Sequence, residues 1–184
     1  MTDENSHGWI EIICGCMFSG KTEELIRRLR RVMYARRNFQ VFKPSKDNRY
    51  AEEEVVTHLK DRLPCTTVPS AAAILELVHS DTEVVGIDEV QFFDSDIIKV
   101  VNDLANRGVR VITAGLDRDS MNQSFGPMAE LLVTAEKVDK LAAVCMVCGK
   151  NAHFSQVLTE KDGVLLIGGA GVYEARCRKH FTPA

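Results

Sequence analysis

Gly15-Cys16-Met17-Phe18-Ser19-Gly20-Lys21-Thr22 follows directly on the apolar run Trp9 to Cys14 and opens into a helical pattern spanning 21–37. The octapeptide fits G-x-x-x-x-G-K-[ST], and its place between a strand and a helix is the context that this motif needs. Glycines let the backbone curl, so that successive N–H groups and the helix N-terminus face one concavity that holds a polyphosphate. Lys21 is expected to reach the outer phosphates and Thr22 to offer its hydroxyl to Mg²⁺. A chance glycine turn is the bland alternative, and the strand–loop–helix context argues against it.

Outward from the loop, strands and helices alternate. The helix carries Leu25, Ile26, Leu29, Val32 and Met33 on one stripe. Arg27, Arg28, Arg30, Arg31, Arg36 and Arg37 crowd its other side and its end, which reads as a solvated face. Strands are expected at 40–43, 83–87 and 109–114, and helices at 70–79 and 95–107. Residues 45–64 are polar and irregular, a length of loop that is usually functional. This alternation predicts an α/β fold with a parallel sheet wound by right-handed crossovers.

After about Asp139 the pattern shifts to short extended segments at 141–144, 152–158, 164–167 and 172–176, punctuated by glycines. The chain therefore divides into a polar tail at 1–7, a nucleotide-binding domain at 8–138 and a small β-rich module at 139–184. Cys145-x-x-Cys148 and Cys177-x-x-His180 supply four donors of the types that Zn²⁺ prefers. With all four places filled, no position is open for a catalytic water. The zinc is expected to be structural, stapling a module too small to hold together by burial. His153 competes with His180 as fourth ligand, and the matching spacing of the two pairs favours His180.

Val84 to Ile87 is an apolar strand ending in Asp88-Glu89. The acid at a strand tip beside a phosphate loop holds Mg²⁺, often through water, and Asp88 is the choice for it. Because side chains alternate, Glu89 is expected to point elsewhere, toward a phosphate acceptor whose proton it can take. Neighbouring Gln91 is placed with the nucleotide-binding set. Phe92 and Phe93 read either as core or as rings that stack on a planar base. Arg49, on the long loop, reads alone as a solvated arginine, or beside phosphates as a charge stabiliser.

Composition narrows the classes. Of the 184 residues 45% are hydrophobic and 27% charged, as in soluble globular chains. No apolar run approaches the roughly 20 residues of a membrane helix. Met1 to His7 has no signal-peptide core, so the cytoplasm is the expected location. The net charge of −3 does not advertise a nucleic-acid partner.

These pieces together resemble the zinc-containing thymidine kinases of bacteria, animals and large DNA viruses. The resemblance runs from Trp9 to His180 through the ordered series G-C-M-F-S-G-K-T-E-E-L, F-K-P-S-K-D-N-R-Y, I-D-E-V-Q-F-F, A-G-L-D, F-G-P-M, C-M-V-C-G, I-G-G-A-G-V-Y and C-R-K-H. It implies transfer of the γ-phosphate of ATP to the 5′-hydroxyl of thymidine, in nucleoside salvage for DNA synthesis. It further implies that Gly15 to Thr22 bind ATP and that Asp88 holds the Mg²⁺ water shell. Glu89 is then the base, and Asp47 and Arg49 support the transferred phosphate. Met17, Phe92, Leu116, Phe125 and Tyr173 correspond to residues around the nucleoside. Val164, Leu165, Leu166, Ile167 and Gly168 match a lasso that reads the base edge through its backbone. A homotetramer is the family habit. Three positions depart from the common pattern: Ser120 stands where a stacking aromatic is frequent, Leu59 where an acid or amide is frequent, and Val157 where an arginine is frequent. A zinc-ribbon ATPase acting on nucleic acid and a nucleotide sensor without turnover are the competing readings. The acidic balance opposes the first, and Glu89 beside Asp88 opposes the second.

Overall fold

The computed structural model describes residues 7–45, 54–56, 62–158 and 171–183. The first strand, β1 (Ile10–Gly15), is buried along its whole length. It leads through the phosphate loop into α1 (Lys21–Tyr34) and then β2 (Phe39–Pro44). A short hairpin, β3 (Glu54–Val56) with β4 (Arg62–Pro64), precedes β5 (Thr66–Val68) and α2 (Ala72–Leu77). The chain continues through β6 (Val84–Ile87), a single 3₁₀ turn at Val90–Phe92, α3 (Asp96–Asn106) and β7 (Arg110–Gly115). Next come α4 (Met128–Thr134) and β8 (Lys137–Leu141).

Six of these strands form one sheet in the order β5-β2-β6-β7-β1-β8, with every neighbouring pair parallel. Alternation along β1 shows how both faces are filled. Ile10, Ile12 and Cys14 join the core under α2, α3 and α4, while Ile13 joins the core under α1 with Leu25, Leu29 and Val41. The helices thus cover both faces, as a parallel sheet requires. Strand β8 had no counterpart in the sequence reading. It pairs with β1 from Glu11↔Lys137 to Gly15↔Leu141, so the sheet runs through the position near Asp139 where the sequence changes character.

One arginine corrects the reading of a solvated face. Arg28 lies on the inner side of α1, with its side chain only 7% exposed. Its guanidinium donates to Glu11 at 2.6 Å, to Asp139 at 2.7 Å and to Glu24 at 2.9 Å. Glu11 points toward α1 because it alternates with Ile10 and Ile12, and it also accepts from Arg110 and Trp9, each at 2.7 Å. A buried carboxylate needs such partners, since isolated burial would neutralise it. Burial opposes ionisation of Glu11, but Arg110, Trp9 and Arg28 outweigh it and hold the carboxyl below its usual range.

The C-terminal module contains two small antiparallel pairs. One joins β9 (Ala143–Val144) to β10 (Asn151–Ala152), and the other joins β11 (Phe154–Val157) to β12 (Tyr173–Arg176). The extended segment expected at 164–167 lies outside the described residues.

Candidate active site

The site assembles at the carboxyl ends of β1, β6 and β7. Gly15 and Gly20 have φ of +146° and +83°, and Phe18 has φ of +65°. Such positive angles turn the loop back on itself, and glycine adopts them without the Cβ penalty. Ser19 Oγ and Lys21 Nζ both donate to the Cys16 carbonyl, each at 2.8 Å. Burial pulls the Lys21 ammonium below its usual range, against the opposing charges of Glu89, Asp88 and Asp117. Lys21 is thus a compact charge already aimed into a partly dry loop.

Thr22 Oγ1 stands 3.3 Å from Asp88 Oδ2. This brings together the two residues expected to share Mg²⁺. The two strands are not adjacent, because β7 lies between β1 and β6. Helix α1 spans the gap: it packs across β1, β7 and β6 and carries Thr22 over to the tip of β6. Asp88 is buried, and its other oxygen accepts the Glu89 N–H at 3.0 Å.

Glu89 has φ +49° and ψ +39°, a left-handed conformation that costs a side-chain-bearing residue about 1–2 kcal/mol. Gln91, expected among nucleotide contacts, is buried, and its amide is engaged with Glu89 and with the Leu116 N–H. The link to Leu116 was not legible in the sequence, because that residue, just past the end of β7, is distant in the chain.

Around the nucleoside positions, Phe92 and Phe125 meet edge to face, with centroids 5.4 Å apart. Leu116 and Tyr173 are buried, whereas Met17 and Ser120 are half-buried. Ser120 sits in a turn organised by Asp119, whose carboxylate accepts the N–H groups of Met121 and Gln123. Met121, the neighbour considered as a filler of the space beside Ser120, is 49% exposed. Asp47, Arg49, His58, Leu59 and Val164 to Gly168 lie outside the described residues.

The C-terminal module touches the phosphate loop directly. Met17 N–H donates to Ser155 Oγ at 3.0 Å, and Cys16 Sγ lies 3.4 Å from the Ala152 carbonyl. Cys16 also shares a small apolar cluster with Ala143, Cys145, Ala152 and Ala175. Burial pushes the Cys16 thiol up, which marks it as a packing group rather than a nucleophile.

Cys145, Cys148, Cys177 and His180 converge, with one donor atom of each within 4.8 Å of all the others. Cys148 Sγ and Cys177 Sγ are 3.8 Å apart, too far for a disulfide. His180 Nδ1 lies 3.3 Å from Cys177 Sγ and 3.7 Å from Cys145 Sγ. Tetrahedral zinc with bonds near 2.3 Å would set S···S edges at roughly 3.8 Å, so the donor set fits this ion. Although burial works against it, backbone donors from Cys177, Val147 and Cys148, with His180, bring the Cys145 thiol down to about 5. His153 stands apart from this group, and its Nδ1 is buried without a hydrogen bond.

Comparison with known proteins points one way. A family model described as thymidine kinase matches residues 8–181. A thymidine kinase of Rhodothermus sp. (strain ITI 518) is 53% identical over 178 residues, covering 97% of this chain and 83% of that protein. One family model spanning phosphate loop, acid pair and Cys/His cluster leaves no part of the site to a separate origin, and the chain belongs to the thymidine kinase family.

Proposed function

We propose that this chain transfers the γ-phosphate of ATP to the 5′-hydroxyl of thymidine. The observation that carries this reading is the meeting of Thr22 and Asp88 beside Glu89, within a chain matched throughout by the thymidine kinase model. Gly15 to Thr22 cradle the triphosphate, and Lys21 neutralises charge on its outer oxygens. Thr22 and Asp88 would hold Mg²⁺, which would supply positive charge to neutralise the phosphates. Glu89 takes the proton of the 5′-hydroxyl as the oxygen attacks, and Asp47 and Arg49 steady the transferred group. The aromatic pair Phe92 and Phe125, with Met17, Leu116, Ser120 and Tyr173, encloses the base. The family resemblance assigns to Val164 to Gly168, which lie outside the described residues, the reading of the base edge through backbone groups. The Cys₃His set would hold structural zinc.

No helix among the described residues is long and apolar enough to cross a membrane. A cytoplasmic homotetramer is part of the proposal, supported by the family resemblance. Thymidine-dependent release of ADP, with thymidine monophosphate as the stoichiometric product, tests the reading. Equal ADP release without thymidine would sink it in favour of an ATPase.

A further inference from the structure

We propose that Gln91 is a positioning residue that locks Glu89 in register with the nucleoside pocket. Its side chain is 2% exposed. The amide Nε2 donates to Glu89 Oε2 at 2.5 Å, and Oε1 accepts the Leu116 N–H at 3.0 Å. The orientation of a glutamine amide is normally an assignment made from its surroundings. Here the surroundings leave one choice. A backbone N–H can only donate, so the end facing Leu116 must be oxygen and the end facing Glu89 must be NH₂. Gln91 therefore always presents donors to the Glu89 carboxylate, and a charge-assisted hydrogen bond of this kind is short and directional.

The neighbours are cut to fit this amide. A Cβ on Gly115 would stand 2.7 Å from Gln91 Oε1, and one on Gly126 would stand 2.4 Å from the Gln91 carbonyl oxygen. Both glycines let the backbone approach closely enough to fix the side chain at the end of β7. Glu89 itself sits in a left-handed conformation that is held only when the surroundings over-determine it. Gln91 supplies part of that determination from two residues away. Its other end is attached to Leu116, one of the residues placed around the nucleoside. One amide thus spans from the proton acceptor to the backbone of the nucleoside pocket. A carboxylate displaced by about 1 Å from a hydroxyl can lose ~10²-fold in rate, so a rigid span of this kind sets turnover rather than affinity.

This inference rests on the reading of Glu89 as the base, and the test separates the two. Gln91→Glu keeps the volume and the oxygen that receives Leu116 N–H but sets a second buried carboxyl against Glu89, so that the two share a proton and Glu89 is no longer a free base. Gln91→Met keeps the length and removes both ends. Each is compared with Glu89→Gln for kcat, thymidine KM, ATP affinity and thermal melting. The expected result is a fall in kcat of about 10- to 100-fold in both Gln91 variants. ATP affinity and thymidine KM should stay within about threefold of the parent. A merely structural role, satisfying the Leu116 N–H, would lower the melting temperature of Gln91→Met and leave its kcat intact. Parental kcat in Gln91→Met, with Glu89→Gln crippled, overturns the positioning role alone. Near-parental kcat in Glu89→Gln overturns the base and the positioning role together.

Discussion

Replacing Arg28 with methionine should destabilise the fold far more than a helix-surface arginine would. Methionine keeps most of the aliphatic stem and removes the guanidinium, so the change isolates the charge. Three carboxylates lose a donor, but unequally. Glu24 and Asp139 are 20% and 36% exposed, so water replaces much of what they lose. Glu11 is 3% exposed and cannot be rehydrated. Breaking a buried pair costs about 3–5 kcal/mol, because one charge is left behind. Glu11 keeps Arg110 and Trp9, which places the cost at the lower end, about 3 kcal/mol. For a chain of this size that corresponds to roughly 6–12 °C in Tm. Equilibrium urea unfolding at fixed protein concentration measures it, with an unchanged m-value as the check on a common unfolded state. Adding Glu11→Gln to the variant should return part of the loss, since the stranded charge is then gone. A loss below about 1 kcal/mol, the worth of an exposed pair, would refute the reasoning and restore the solvated-face reading.

Glu89→Gln should leave ATP binding nearly intact and lower turnover by ~10²–10⁴, and near-normal turnover would remove Glu89 from the role of base. Purified protein should contain one zinc per chain by elemental analysis. Chelation should raise amide exchange in β9 to β12 and weaken ATP binding through Met17 and Cys16, whereas exchange unchanged on chelation would contradict a structural metal. Arg27 and Arg28 hold the Glu24 carboxyl down to about 2, and Glu11 is also held low. Their stabilisation is therefore present above the ordinary value of 4.5 and is lost as pH falls toward 2, so urea midpoints should drop across that window; flat midpoints would count against it. Ser120→Phe should tighten thymidine binding, because a stacked ring contributes about 0.5–1.5 kcal/mol that serine forgoes; a weaker variant would show that another residue of this loop, such as Met121, fills the space.

The features legible in the sequence are those written in local order. A phosphate loop, an acid pair after an apolar strand, and two Cys/His knuckles each sit within a few residues, and the folded chain brings their members together as the spacing predicts. What was not legible depends on partners far apart in sequence. Parallel strands can be ordered in several ways without changing their own residues, so the placement of β7 between β1 and β6 left no local mark. Strand β8, Lys-Val-Asp-Lys-Leu, carries edge-strand charges and lacks the continuous apolar run of a central strand. Arg28 did carry a signal. It is three residues beyond Leu25 and four before Val32, on the inner stripe of α1, while Glu11 interrupts an otherwise apolar strand. Two lone charges on facing apolar surfaces predict each other, and their pairing was there to be found.

The contact between the phosphate loop and the C-terminal module gives a Cys/His donor set a place in a phosphotransferase. A loop built on left-handed residues stores strain, and something outside it must hold that shape. β1 and α1 fix its two ends. Its middle is fixed by Ser155 and Ala152, which lie on the small strands of the module. Those strands are two to four residues long and bury little apolar surface of their own. Cys145 lies in the same apolar cluster as Cys16, so the donor set that closes the module sits directly behind the loop. One layer of side chains therefore separates the Cys/His cluster from the phosphate loop. The separation into a nucleotide part and a metal part describes the order of the sequence; in the fold the phosphate loop has the module as one of its walls.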